Sequence, residues 1–232
     1  MTFQLPDLAR PLPERTAARP TSALAVTAVL GLGGFAVAVA VTGMITPRYD
    51  ARREAISGLA ALDSPYAWIM ILGFLSGATA LVCAALLLWT RVPARAGRLA
   101  AGLVGISGLL MAVAGLARQD CSDQLATCKD FGDAVNASGS YWIHEYASLV
   151  GFLLLIISFF LLARGLSRTS RLGLAVASRI IGTLCLAGTA LLVVTPPSVV
   201  DNYGIVQRLL VALLFGWPVA AGVLAAHRTP PS

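Results

Sequence analysis

Charge is what this chain has least of. Only 12% of its 232 residues are Asp, Glu, Lys or Arg, against about 25% in an ordinary soluble domain, so a water-soluble fold is excluded. Lysine is all but missing, with one Lys among 17 basic residues. That bias, with abundant alanine, is what a GC-rich genome produces. Histidine occurs twice, as His144 and His227, which is too few for a haem bundle ligated by two imidazoles. Zinc usually takes four nitrogen or sulfur ligands, and His144 is the one imidazole near the cysteines of the 118–145 stretch, so no metal and no cofactor are expected. The period-2 alternation of a membrane barrel is absent. There is no internal repeat of the kind that inverted-repeat transporters carry, and no nucleophile elbow.

What is there is apolar length. Hydrophobic residues make up 57% of the chain, gathered in runs of about 20, the length a bilayer core demands of a helix. Open strands cannot cross lipid with unpaired backbone groups. The fold class is therefore an all-α polytopic membrane protein, a bundle of six transmembrane helices. The spans are read at about 22–45, 66–89, 97–117, 146–163, 172–194 and 204–225. Together they form one membrane domain, 22–226, between a Pro- and Arg-bearing tail at 1–21 and a short tail at 227–232. The first run is too long for the h-region of a signal peptide and is read as an uncleaved span.

Arginine distribution orients the bundle. One side collects eleven basic groups against Asp7 and Glu14; the other has six against nine acids. The basic side is expected in the cytoplasm, with both termini. The net charge of +6 is thus an insertion signal, and nucleic acid is not an expected partner. All five tyrosines, Tyr49, Tyr66, Tyr141, Tyr146 and Tyr203, fall at the opposite, outer ends of the spans, as an interfacial belt does.

The longest polar interruption is 118–145, RQDCSDQLATCKDFGDAVNASGSYWIHE. Cys121 and Cys128 lie in it, outside the cytoplasm, where thiols oxidise; a disulfide is the leading expectation, with free thiols and a metal pair as alternatives. The first outer loop, 46–66, is expected to hold a short helix capped by Asp50 and running through Leu62, with Arg53, Glu54 and Ser57 on its polar side. Arg208 sits about one turn into the last span, against the charge trend. Ionisable groups there are costly and usually paired or functional; Glu54, Asp120, Glu145 and Asp201 are its candidate partners. Span three carries Gly102, Gly105 and Gly108, and span two Gly73 and Gly77, small residues that let helices approach. Pro218 should kink the last span.

The run Tyr49-Asp50, Arg53-Glu54-Ala55-Ile56-Ser57 and Leu59-Ala60-Ala61, with Trp68 and Gly73 downstream, resembles the bacterial membrane family catalogued as domain of unknown function 998. Asp120, Cys121, Cys128 and His144 are similar to that family's second loop, and Gly204, Gln207, Arg208 and Trp217 to its final span. The resemblance covers nearly the whole chain from residue 22 and implies six spans. Arg118-Gln119 stands where the family often has Phe-Pro. No reaction is implied.

The expected function is binding of a lipid headgroup, a small ligand or a partner protein at an outer polar mouth lined by Arg53, Glu54, Ser57, Asp120, His144 and Arg208. Membrane lipids and another membrane protein are the candidate partners. The alternative is a membrane-embedded hydrolase or transferase acting on lipids or glycoconjugates at the outer leaflet. In it His144 is the base, Asp120 or Glu54 its orienting acid and Ser57 the nucleophile. A transporter or accessory subunit ranks third, because the spans hold few ionisable groups at mid-depth.

Overall fold

A computed structural model describes residues 19–121, 137–169, 171–195 and 202–227. Its helices are α1 (Arg19–Ile45), α2 (Ala67–Arg91), α3 (Arg95–Leu116), α4 (Gly139–Leu166), α5 (Leu172–Val194) and α6 (Tyr203–His227). All six are long and apolar enough to cross a membrane: the shortest has 22 residues, about 33 Å at ~1.5 Å per residue, against a hydrocarbon core of ~30 Å. Leu30, Leu109, Leu116 and Val194 stand on the outside of the bundle, each more than 60% exposed. Lipid, not water, is the solvent that tolerates such a surface.

Sequence-adjacent helices pack as antiparallel neighbours. Arg91 at the end of α2 donates to Thr21 at the start of α1, and Arg171 before α5 donates to the Ala225 carbonyl near the end of α6. The described parts of the connections 46–66, 117–138 and 195–202 therefore share one end, the loop-rich end, and those of 92–94 and 167–171 the other. α2 is the most buried span and packs on α1, α3 and α6; α6 scarcely touches α4. Small residues set these approaches. Gly73 lies against Ala38 of α1, Gly77 against Met111 of α3 and Phe35 of α1, and Gly108 against Ala78 and Leu81 of α2. Gly102 faces open space, so it is not a helix contact. α6 runs as one helix through Pro218.

Two local structures depart from expectation. The first loop forms no helix running from Asp50 through Leu62. Asp50 does cap a turn, its Oδ1 accepting from the Arg52 N–H at 2.9 Å while Glu54 Oε1 accepts from the Asp50 N–H at 2.5 Å. The chain then extends at Ala55 and makes one 3₁₀ turn, Ile56–Ala60. Burial explains the break: Ile56, Leu59, Ala60 and Ala61 plunge into the bundle core, which one straight surface helix could not achieve. The fourth span starts at Gly139, seven residues before the expected 146. Ser138 is its N-cap, with Oγ accepting from the Tyr141 N–H at 3.1 Å, an arrangement that satisfies one of the orphan donors of the first turn.

Candidate functional site

The loop-rich end is built by one long-range bolt. The carbonyl of Arg52 accepts from the N–H groups of Gly204 and Ile205 at 2.9 and 3.3 Å, so the first loop caps the orphan donors of α6. Gln207 Oε1 accepts from the Ile56 N–H at 2.8 Å. Arg208 Nη1 donates to the carbonyls of Glu54 (3.0 Å) and Gly204 (2.9 Å), and its Nη2 donates to the Tyr49 hydroxyl. The guanidinium also lies 5.6 Å from the centre of the Tyr49 ring, within cation–π range. Gly204 has no room for a side chain: a Cβ would stand 2.5 Å from the Glu54 carbonyl and 2.6 Å from that of Ala51.

A second clamp joins the other polar segment. Arg118 Nε and Nη2 donate to the carbonyls of Ala60 (2.9 Å) and Ala61 (2.6 Å), closing the open end of the 3₁₀ turn. The Leu62 N–H donates to the Gln119 carbonyl at 2.9 Å. Gln119 Nε2 donates to Glu145 Oε1 at 2.8 Å, and the Ser138 N–H donates to Asp120 Oδ2 at 2.8 Å. Asp120 thus ties residue 120 to residue 138 at the base of the loop.

Behind these clamps lies a cavity of about 540 Å³, walled by all six helices and the first loop, within the usual range for small-molecule sites. It fills the gap that α4 and α6 leave between them. Along α4 its wall runs from Tyr141 to Leu155, about 20 Å at ~1.5 Å per residue. Its chemistry is graded. Ser57, Gln119, His144, Glu145 and Gln207 line the loop-rich end, and Phe35, Phe152, Leu155, Val211 and Phe215 the depth.

His144 is 3% exposed and lies in the second turn of α4, well inside the helix and not at its end. Its Nδ1 is 2.7 Å from the Ala114 carbonyl and 2.9 Å from that of Ala117. Carbonyl oxygens only accept, so Nδ1 carries a proton and caps the end of α3. In the neutral ring Nε2 is then a lone-pair acceptor, and it has no hydrogen-bond partner among the described residues. Phe74 packs edge-on against the ring at 6.3 Å.

A family model described as "Protein of unknown function (DUF998)" matches residues 19–224. The chain belongs to the DUF998 family. No curated protein and no solved structure matches it. In this DUF998 protein the six residues expected at the mouth do not come together at one place. Ser57 and His144 line the cavity. Glu54 and Arg208 form the bolt beside it, Asp120 closes the loop base, and Arg53 points outward, 66% exposed in its side chain and 3.8 Å from Asp50. Arg53, Glu54 and Ser57 therefore share no common face, because Glu54 is buried and the turn breaks between them. Arg208 is held by main-chain carbonyls where a carboxylate partner was expected. His144 likewise faces carbonyls where Asp120 or Glu54 was expected to orient it. Cys128 and Asp201 lie outside the described residues. Gln119 and Gln207, the neutral amides of this DUF998 site, enter the sequence analysis only through the family resemblance and are not among the residues expected at the mouth.

Proposed function

We propose that this protein binds an amphiphile, a lipid or lipid-like molecule, in the cavity, with its polar end at the loop-rich end and its apolar part in the depth. The carrying observation is the gradient along one continuous cavity of about 540 Å³. A polar rim with an apolar interior favours a molecule of the same polarity pattern, since unpaired polar groups and wetted apolar walls are both costly. The arginine bias supports an orientation with both termini in the cytoplasm and the cavity mouth toward the outer leaflet of a bacterial inner membrane. In that setting the Cys121–Cys128 bridge is the proposed state of the loop.

The test is retention. Protein extracted directly into nanodiscs is stripped of bulk lipid, and co-purifying amphiphiles are quantified. Wild type should retain about one enriched species per chain. Ala147→Phe, which fills the buried wall of α4, should lose it. Equal lipid profiles in the two proteins would sink the reading.

One observation favours a second reading, an enzyme on lipids or glycoconjugates: His144, with Nδ1 engaged and Nε2 open, shares the cavity with Ser57. A base must come within about 3.2 Å of the proton it takes. Covalent labelling of Ser57 by a fluorophosphonate, abolished in His144→Gln, is the expected result under this reading; absence of labelling in folded wild type removes it.

A further inference from the structure

We infer that the head of the bound amphiphile is uncharged and hydroxylated, of the monoacylglycerol kind; this rests on the cavity binding an amphiphile at all. Among the described residues, the wall of the cavity contains no Arg and no Lys. Arg208 and Arg118, the arginines nearest to serving it, are spent on carbonyl oxygens outside that wall. A phosphate or carboxylate head would be desolvated there without a cation, and would face the one formal charge in the wall, the carboxylate of Glu145.

What the wall offers instead is a set of neutral groups with open hydrogen-bonding capacity. His144 is 97% buried, its Nδ1 is committed as a donor to two carbonyls, and in the neutral ring its Nε2 is an acceptor without a partner among the described residues. Gln207 uses its carbonyl oxygen on the Ile56 N–H, which leaves the amide NH₂ as a donor without a partner among the described residues. Thr189 is 5% exposed, and its Oγ1 has no partner among the described residues. The other buried hydroxyls of the spans, on Thr42, Ser107, Ser158 and Ser178, each donate to a carbonyl three or four residues back. Thr189 is the exception, and it lies in this wall.

A hydroxyl donates to Nε2, and a hydroxyl or ester oxygen accepts from the Gln207 amide and Thr189. A quaternary ammonium head has no proton to give His144. A glycerol head esterified to one chain has donors and acceptors together, and the chain continues along the inner part of the wall, Ala147 to Leu155, about 12 Å at ~1.5 Å per residue.

The test uses the two-histidine sequence. Full-length protein labelled with ¹⁵N-histidine, as wild type and His227→Ala, is titrated in nanodiscs with monomyristoylglycerol, with the matching single-chain alkyl phosphate and with an alkyltrimethylammonium salt. The expected result is preferential binding of monomyristoylglycerol, a shift of the His144 Nε2 resonance on binding, and an Nδ1 resonance that stays put. Gln207→Glu keeps the acceptor for Ile56 and deletes the donor; it should weaken monomyristoylglycerol on the order of tenfold. Tighter binding of the phosphate or the ammonium salt overturns the inference while leaving an amphiphile site in place. Binding of monomyristoylglycerol with an unmoved Nε2, as when water alone occupies the polar end, also overturns it. No binding of any probe overturns both this inference and the cavity reading beneath it.

Discussion

Arg208 holds Glu54 by its main chain, with Nη1 3.0 Å from the Glu54 carbonyl oxygen. The same guanidinium reaches the Gly204 carbonyl and the Tyr49 hydroxyl. Its planar fork suits several fixed acceptors at once, which an ammonium point charge does not. Arg208→Lys should therefore cost about 2 kcal/mol, seen as a lower unfolding midpoint in detergent. A midpoint within error of wild type would mean that the bolt contributes nothing.

Gly204→Ala attacks the same junction from the other side. Its Cβ would press on the Glu54 and Ala51 carbonyls at 2.5 and 2.6 Å, and these are backbone atoms that yield only if the loop moves. A loss of about 2–4 kcal/mol is expected, with the protection of the amides at 49–56 lost first in hydrogen exchange. Uniform loss of protection across the bundle would contradict this localised account.

Asp120 contributes by anchoring the start of α4 through the Ser138 N–H. Asp120→Ala should speed amide exchange at 138–142 with a local cost of about 1 kcal/mol, and should leave α3 unchanged. Unaltered exchange at those residues would assign Asp120 some other task.

The thiols give a count. Cys83 and Cys185 are free and buried. Denatured without reductant, the protein should take up maleimide at these two positions, and at all four cysteines once reduced. Four adducts before reduction would argue against the Cys121–Cys128 bridge.

Orientation is tested by single cysteines at Leu125 and Arg95 in a cysteine-free background. An impermeant maleimide added to intact cells should label the first and spare the second. The reverse pattern would invert the bundle.

The six spans were legible because lipid imposes a length and a polarity that few sequences meet by chance, and the family match extends over nearly the same residues, 19–224. The first turns of α4 were not, because Gly139–Glu145 is polar and aromatic and its helix depends on a cap supplied jointly by Ser138 and Asp120. Side-chain charge drew attention to Arg53, Asp120 and Arg208, yet two of these answer to backbone groups that no pattern of side chains displays. Neutral Gln119 and Gln207 carry no such flag, although they hold the site's wall. His144 stands in the cavity wall, and its bond to the end of α3 could be found only in three dimensions.

The bolt between the first loop and α6 also has a place in time. Translation delivers Tyr49 to Ala61 to the membrane roughly 150 residues before Gly204, Gln207 and Arg208, the sequence separation of the contacts they make. Domains begin to fold from the N-terminus while synthesis continues, but this loop's carbonyls at 52 and 54 must wait for the last helix. The cavity is thus finished by the final span, and a chain released early has five helices and an unlatched roof.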